Sequence, residues 1–193
     1  MSGHMNWIGT GRVTTEYARK YERIERERRY LLRELPPGLS LRDEHAQVTD
    51  NYITNTRLRL RKSRWPSTNE WTLKLTQKHA PEPPNFSRTL ITSIYLNELE
   101  YEVFSVFEGN ELRKNRYPYE HEKRMFGVDV FLGELRGLIL AEVEFESDEE
   151  MMNATAPAFS VADVSRDERF TGGRLAISSA EELRGMLKEF QVL

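Results

Sequence analysis

Several segments of the chain alternate apolar and polar residues with period two. In "TRLRLR", residues 56–61, Leu58 and Leu60 alternate with Arg57, Arg59 and Arg61. "WTLKLT", residues 71–76, sets Trp71, Leu73 and Leu75 against Thr72, Lys74 and Thr76. "FGVDVFL" places Phe126, Val128, Val130 and Leu132 opposite a face carrying Asp129, and "ILAEVEFE" places Ile139, Ala141, Val143 and Phe145 opposite Glu142, Glu144 and Glu146. "IERERRYLL", residues 24–32, puts Glu25, Glu27 and Arg29 on one side of an extended segment, whereas a helix would scatter them around its circumference. Each segment is predicted to be a strand with one buried apolar face and one charged face.

Turn residues separate these strands. "LPPGL" (35–39) and "HAPEPPN" (79–85) read as turns or loops, and "RWPSTNE" (64–70) as a hairpin connection. Helices are fewer. Asn97 is placed to cap "ELEYEVFSVF", Ser147 opens an S-x-x-E box with Glu150, and Ser179 does the same with Glu182 ahead of "LRGMLKEF". Thr14 to Arg23 carries a weaker helical pattern. A strand-dominated chain with peripheral helices is an α+β fold.

Composition narrows the class. The chain has 193 residues, which favours one domain over residues 13–193, preceded by a segment 1–12 whose "GHM" has the look of a cloning remnant. With 38% hydrophobic and 31% charged residues, and no apolar run near the ~18 residues that cross a membrane, a soluble globular protein is expected. Without cysteine there is no disulfide, thiolate metal site or cysteine nucleophile, which fits a reducing cytoplasm. The net charge of −3 argues against a DNA-binding protein.

The distribution of charge says more than its sum. Glu25 and Glu27, and Glu142, Glu144 and Glu146, make acid-dominated strands, while Arg57, Arg59 and Arg61, Lys74, and Lys114 and Arg116 make base-dominated ones. On a solvated sheet opposite charges gain by facing each other and like charges on one strand repel. If the strands instead close into a barrel with the charges inside, unpaired groups cost several kcal/mol each unless water or ligands compensate them. Clustered carboxylates suit a hard cation such as Mg²⁺ or Mn²⁺. Clustered Arg and Lys suit phosphate oxygens, Arg through two hydrogen bonds and Lys as a point charge. Acids on one wall and bases on another match a metal-bound polyphosphate.

In this order, the segments resemble the CYTH family, the triphosphate tunnel metalloenzymes. "ERERR" is similar to that family's E-x-E-x-K signature, with arginine in place of lysine, and points to Glu25, Glu27 and Arg29. "DNYITNTRLRLRKS" resembles its tyrosine strand followed by an R-x-R strand, which gives Tyr52, Arg59 and Arg61. "WTLKLT" contributes Lys74, and "LRKNRY" contributes Lys114 and Arg116. "VDVFLGEL" with "LAEVEFES" resembles the carboxylate strands and gives Asp129, Glu142 and Glu144, and "DERFTGGRLA" places Arg169 near the tunnel.

The resemblance implies a closed eight-stranded antiparallel barrel that binds a triphosphate with Mg²⁺ or Mn²⁺. Glu25, Glu27, Asp129, Glu142 and Glu144 would be the metal ligands. Arg29, Arg59, Arg61, Lys74, Lys114, Arg116 and Arg169 would hold substrate, with Tyr52 orienting water or phosphate. Glu25, Glu27, Tyr52, Lys74 and Lys114 would carry catalysis.

The chain departs from the family where Leu90, Thr92 and Gly127 occupy places often taken by glutamate, which puts hydrolysis in more doubt than binding. A metal-dependent triphosphatase acting on a small-molecule triphosphate leads; an adenylyl cyclase and a non-hydrolytic polyphosphate or nucleotide binder stay open, as does a homodimer. Other features have plainer readings. Arg57 is read as a rim charge, Glu146 as a helix-start residue, the four histidines as surface groups, and Trp65 and Trp71 as hairpin and core packing. "TGGRL" (171–175) lacks the spacing and lysine of a P-loop.

Overall fold

The alternating segments all become strands, and their short connections make nearly every neighbour antiparallel. The computed structural model describes residues 22–79 and 86–193. The segment 1–12, almost all of the helical pattern from Thr14 and most of the "HAPEPPN" loop lie outside the described residues. In chain order the strands are β1 (Arg23–Leu32), β2 (Ala46–Ile53), β3 (Leu58–Trp65), β4 (Glu70–His79), β5 (Arg88–Tyr95), β6 (Gly109–His121), β7 (Arg124–Phe131), β8 (Ile139–Glu144) and the two-residue β9 (Ala162–Asp163). The helices are α1 (Glu98–Ser105), α2 (Asp148–Asn153), α3 (Gly172–Leu175) and α4 (Ala180–Glu189).

Pairing runs β5-β4-β3-β2-β6-β7-β8-β1, and a further β5–β1 pairing closes the ring into an eight-stranded antiparallel barrel. β1 is the closing strand: Arg23 to Arg26 pair with β5, and Glu27 to Leu32 pair with β8. β9 adds a short ladder to β1 at Tyr30 and Leu31. Closure leaves none of these eight strands as a free edge.

Register decides which face looks inward. Glu27 lies opposite Glu144, Arg29 opposite Glu142, Arg61 opposite Lys74, and Arg116 opposite Asp129, so these residues share the inner surface. The apolar faces therefore point outward over β7, β8 and β1, where Tyr30, Leu32, Tyr117, Phe126, Val128 and Val143 form a core roofed by Leu35, Leu39, Met151 and Phe159. A second core fills one end of the barrel from inside. Leu31, Leu112, Phe131 and Leu140 pack there against Phe170, Leu175 and the α4 residues Leu183, Met186 and Leu187. The lumen is thus apolar at its floor and charged above it.

The predicted caps form. Asn97 and Ser179 each accept the N3 backbone N–H while the N3 glutamate returns to the cap backbone, and the Ser147 hydroxyl accepts the Glu150 N–H. Trp71 departs from its expected core role. It is 54% exposed with the Arg64 guanidinium over its ring, because β4 turns that face to solvent.

Candidate functional site

The inner face encloses a cavity of about 470 Å³. Among its described lining residues nine are Arg or Lys and four are Glu, so the site favours an anion. Each wall has a distinct source. β1 supplies Glu25, Glu27 and Arg29; β3 supplies Arg59 and Arg61; β4 supplies Lys74 and Lys78; β6 supplies Lys114 and Arg116; and β8 supplies Glu142 and Glu144. Tyr52 from β2 and Gly172 and Gly173 from α3 close the floor. A Cβ added at Gly172 would lie 1.9 Å from the Tyr52 hydroxyl oxygen, so glycine there is what lets Tyr52 stand against the cap.

The charges form a chain of pairs around the barrel. Arg61 binds Asp50 through Nε at 2.6 Å and Nη2 at 2.7 Å, with Arg59 Nε 3.6 Å from the same carboxylate. Lys114 and Arg116 both bind Asp129, Arg116 through Nε at 2.7 Å. Arg116 continues to Glu142, which accepts Arg29 Nε at 3.0 Å, and Arg29 Nη2 donates to Glu27 at 2.5 Å. Glu25 pairs with Lys78 at 2.5 Å. Glu144 sits at the exposed mouth, 3.5 Å from Arg23.

Burial and neighbours set the proton affinities. Burial raises the Glu27 carboxyl above its ordinary range, and the Glu142 charge adds to this against Arg29 and Lys78. Burial would raise Glu142 as well, but Lys114, Arg116 and Arg29 hold it well below. Burial lowers the Lys74 ammonium, as do the Arg59 and Arg61 charges. Lys114 is lowered by burial and by Arg116 against the pull of Asp129. Two buried guanidinium nitrogens, Arg29 Nη1 and Arg59 Nε, find no hydrogen-bond partner among the described residues.

Of the residues singled out from sequence, Glu25, Glu27, Arg29, Tyr52, Arg59, Arg61, Lys74, Lys114, Arg116, Glu142 and Glu144 all line this cavity. Asp129 and Arg169 do not. Asp129 sits at an inner-face position but is fully covered, its oxygens taken up by Lys114 and Arg116, so it holds those cations in place and is not itself open to the cavity. Arg169 is turned outward to Asp167 and Glu189.

Leu90 and Thr92 face away from the lumen. The β5 residues sharing the inner face are Thr89, opposite Glu25, and Ile91, opposite Arg23, so the glutamates missing at 90 and 92 are not missing from this cavity. Gly127 does face in, opposite Glu142, and Arg116 fills the space, with its Nε 3.2 Å from where a Cβ would lie.

Two charged residues that shape the site, one lining the cavity and one buried behind its arginines, were not found from sequence. Lys78 shares the parity of Lys74, the signal that could have found it, but lies beyond the quoted T-x-K segment. Asp50, 1% exposed, sits in "TDNY", where Asp-Asn suggests a turn and not a strand interior.

The divalent cation implied by the resemblance can be judged against this donor set. Glu25, Glu27, Glu142 and Glu144 offer oxygen only, as Mg²⁺ or Mn²⁺ requires. Glu27, buried beside Glu142 and opposite Glu144, is crowded by like charge that a dication relieves. No group of three or more acidic or histidine side chains among the described residues is arranged to hold a metal, because the lining glutamates are engaged by Lys78, Arg29, Arg116 and Arg23. The donor chemistry fits a hard cation. Its binding calls for some of these pairs to open.

No protein-family model matches the chain. A curated inorganic triphosphatase of Nitrosomonas europaea is 35% identical over 72 residues, which make up 37% of this chain and 48% of that protein, so the match spans about half of the relative. The crystal structure of an inorganic triphosphatase superposes with a TM-score of 0.53 at 26% identity, covering 80% of this chain and 95% of the other. No helix among the described residues is long and apolar enough to cross a membrane.

Proposed function

We propose that the chain is a member of the CYTH, or triphosphate tunnel, family, which its likeness to inorganic triphosphatases supports, and that it is a divalent-metal-dependent triphosphatase releasing the terminal phosphate of inorganic tripolyphosphate or a related organic triphosphate. The observation that carries this reading is an enclosed lumen whose described lining joins nine Arg or Lys to four Glu, the charges that a metal-bound polyphosphate calls for.

The protein's own groups then act mainly by position and charge, as phosphoryl transfer requires. Arg59 and Arg61 on β3 and Arg116 on β6 present planar forks to the phosphate oxygens, and Lys74 and Lys114 act as point charges. The lowered ammonium of Lys74 regains its proton affinity when polyphosphate replaces the neighbouring cations as its nearest charge. Arg29, raised by Glu27 and Glu142 against the effect of burial, stays charged throughout and offsets charge on the phosphates. Glu25, Glu27, Glu142 and Glu144 would hold the cation, which when bound neutralises phosphate oxygens and acidifies water. The test is product analysis with Mg²⁺ and, separately, Mn²⁺ on tripolyphosphate, ATP and thiamine triphosphate. Orthophosphate released fastest from tripolyphosphate supports the reading, and cyclic AMP with pyrophosphate replaces it with a cyclase.

A second reading, binding without turnover, is favoured by one observation: β5 contributes no carboxylate to the lumen, where it presents Thr89 and Ile91. Measurable tripolyphosphate binding with no product under either metal would establish it.

A further inference from the structure

One acid on the inner face of the barrel is buried out of the cavity lining. Asp50 is 1% exposed, does not line the cavity, and stands on β2 directly opposite Arg61. Its two oxygens take Arg61 Nε and Nη2 at 2.6 and 2.7 Å, a two-point contact that fixes the plane of the guanidinium and leaves Nη1 unused by this contact. Arg59 Nε stands 3.6 Å from the same carboxylate, too far for a hydrogen bond and close enough for attraction. Arg59 and Arg61 lie two residues apart on one strand face, and Lys74 faces Arg61 across β3–β4. These cations repel one another in a buried place, and Asp50 is the one acid in ion-pair contact with both arginines among the described residues.

We propose that Asp50 is a positioning residue: it holds the Arg59–Arg61 pair in the orientation that receives a phosphate chain, and its charge lets those cations be gathered before the anion arrives. This rests on the triphosphatase reading for the identity of the anion and not for the role of Asp50. Burial alone would raise the Asp50 carboxyl, but Arg61 and Arg59 hold it far below the usual carboxylate range, so the charge is present at all physiological pH. A preorganised guanidinium loses less freedom on binding than one that must first be oriented.

The test compares wild type, Asp50→Asn and Asp50→Glu in the full chain. Asn keeps the size of Asp50 but removes its charge and one of the two oxygens that accept from Arg61; Glu keeps the charge and displaces it. Three readouts are taken: the Arg61 Nε–H resonance, tripolyphosphate affinity by calorimetry, and kcat and KM for phosphate release. The expected result for Asp50→Asn is a folded protein whose Arg61 Nε–H resonance moves and exchanges faster with water, and whose affinity for tripolyphosphate falls at least tenfold. KM should rise more than kcat falls, and Asp50→Glu should recover part of the affinity.

An unchanged Arg61 resonance, or wild-type affinity in Asp50→Asn, overturns the proposal. If Asp50→Asn fails to fold, Asp50→Glu decides by the same resonance and affinity. If wild type neither binds nor hydrolyses tripolyphosphate, the triphosphatase reading falls, and the Arg61 resonance in the variants still decides the role of Asp50.

Discussion

Single residues in this lumen divide by what faces them. Glu27 and Asp129 are both acids on inner-face positions, yet Asp129 is wholly enclosed by Lys114 and Arg116, while Glu27 sits beside Glu142 and pairs with Arg29 on the cavity wall. Because the Glu27 carboxyl is raised in the fold, its stabilising protonated form is fully present below the ordinary glutamate range and is lost as pH rises through the raised value. At pH 7 its ionised form opposes folding. Replacing Glu27 with Gln should therefore leave melting temperature unchanged or higher at pH 7, with the gap over wild type widening from pH 5 to pH 8. Metal-dependent turnover should drop on the order of 100-fold, the size seen when a charge-stabilising group is removed from a closed site. Thermal melts across pH and phosphate-release assays check both halves. A variant that melts lower at pH 8 and turns over normally would remove Glu27 from the site. The same contrast shows what sequence could reveal: period two marks Asp129 as inward, but nothing in "GVDVF" says that two cations from β6 will cover it.

At the scale of elements, the strands and their inner and outer parity were legible because each of β1, β3, β4, β7 and β8 contains a run in which one face is charged or polar at two-residue spacing. What was not legible was how strands pair at a distance. β5 reads "RTLITSIY", with no charged face to mark its inside, and only its pairing with β1 shows that Thr89 and Ile91 look in while Leu90 and Thr92 look out. Arg169, grouped with the tunnel by the sequence around it, is held outside by Asp167 two residues away and by Glu189 on α4. Register makes a direct prediction. Leu90→Glu places its acid on the outer face of the barrel, away from the site, and should change turnover by less than about twofold. Gly127→Glu enters the lumen against Arg116 and should lower turnover by about 100-fold, because small misplacements of a positioning group cost that much. The reverse ranking in phosphate-release assays would mean that β5 is paired one residue out of register. The floor has its own test. Leu187→Ala on α4 removes a fully buried side chain from the core under the cavity and should cost about 2–5 kcal/mol in urea unfolding, whereas Ser179→Ala at the cap should cost about 1 kcal/mol.

For the whole molecule, the lumen concentrates cations in a chain whose net charge is −3, so its empty state stores repulsion that a polyanion removes. The lowered ammonium of Lys74 reflects burial first and then that repulsion from Arg59 and Arg61. A ligand bound by the folded barrel and not by the unfolded chain stabilises it by about 2.7 kcal/mol at one hundred times its dissociation constant. For a chain of this length, each kcal/mol moves the melting temperature by about 2–4 °C. Tripolyphosphate at that concentration should thus raise it by about 5–10 °C, and orthophosphate, which carries less charge and fewer acceptor oxygens, by much less. Metal and anion should separate in the same experiment. With a chelator present, most of the tripolyphosphate shift should persist, because arginine and lysine carry the binding, while phosphate release should stop, because the glutamates then have no cation to hold. A shift that vanishes with the chelator would move the binding energy from the basic walls to the acids of β1 and β8.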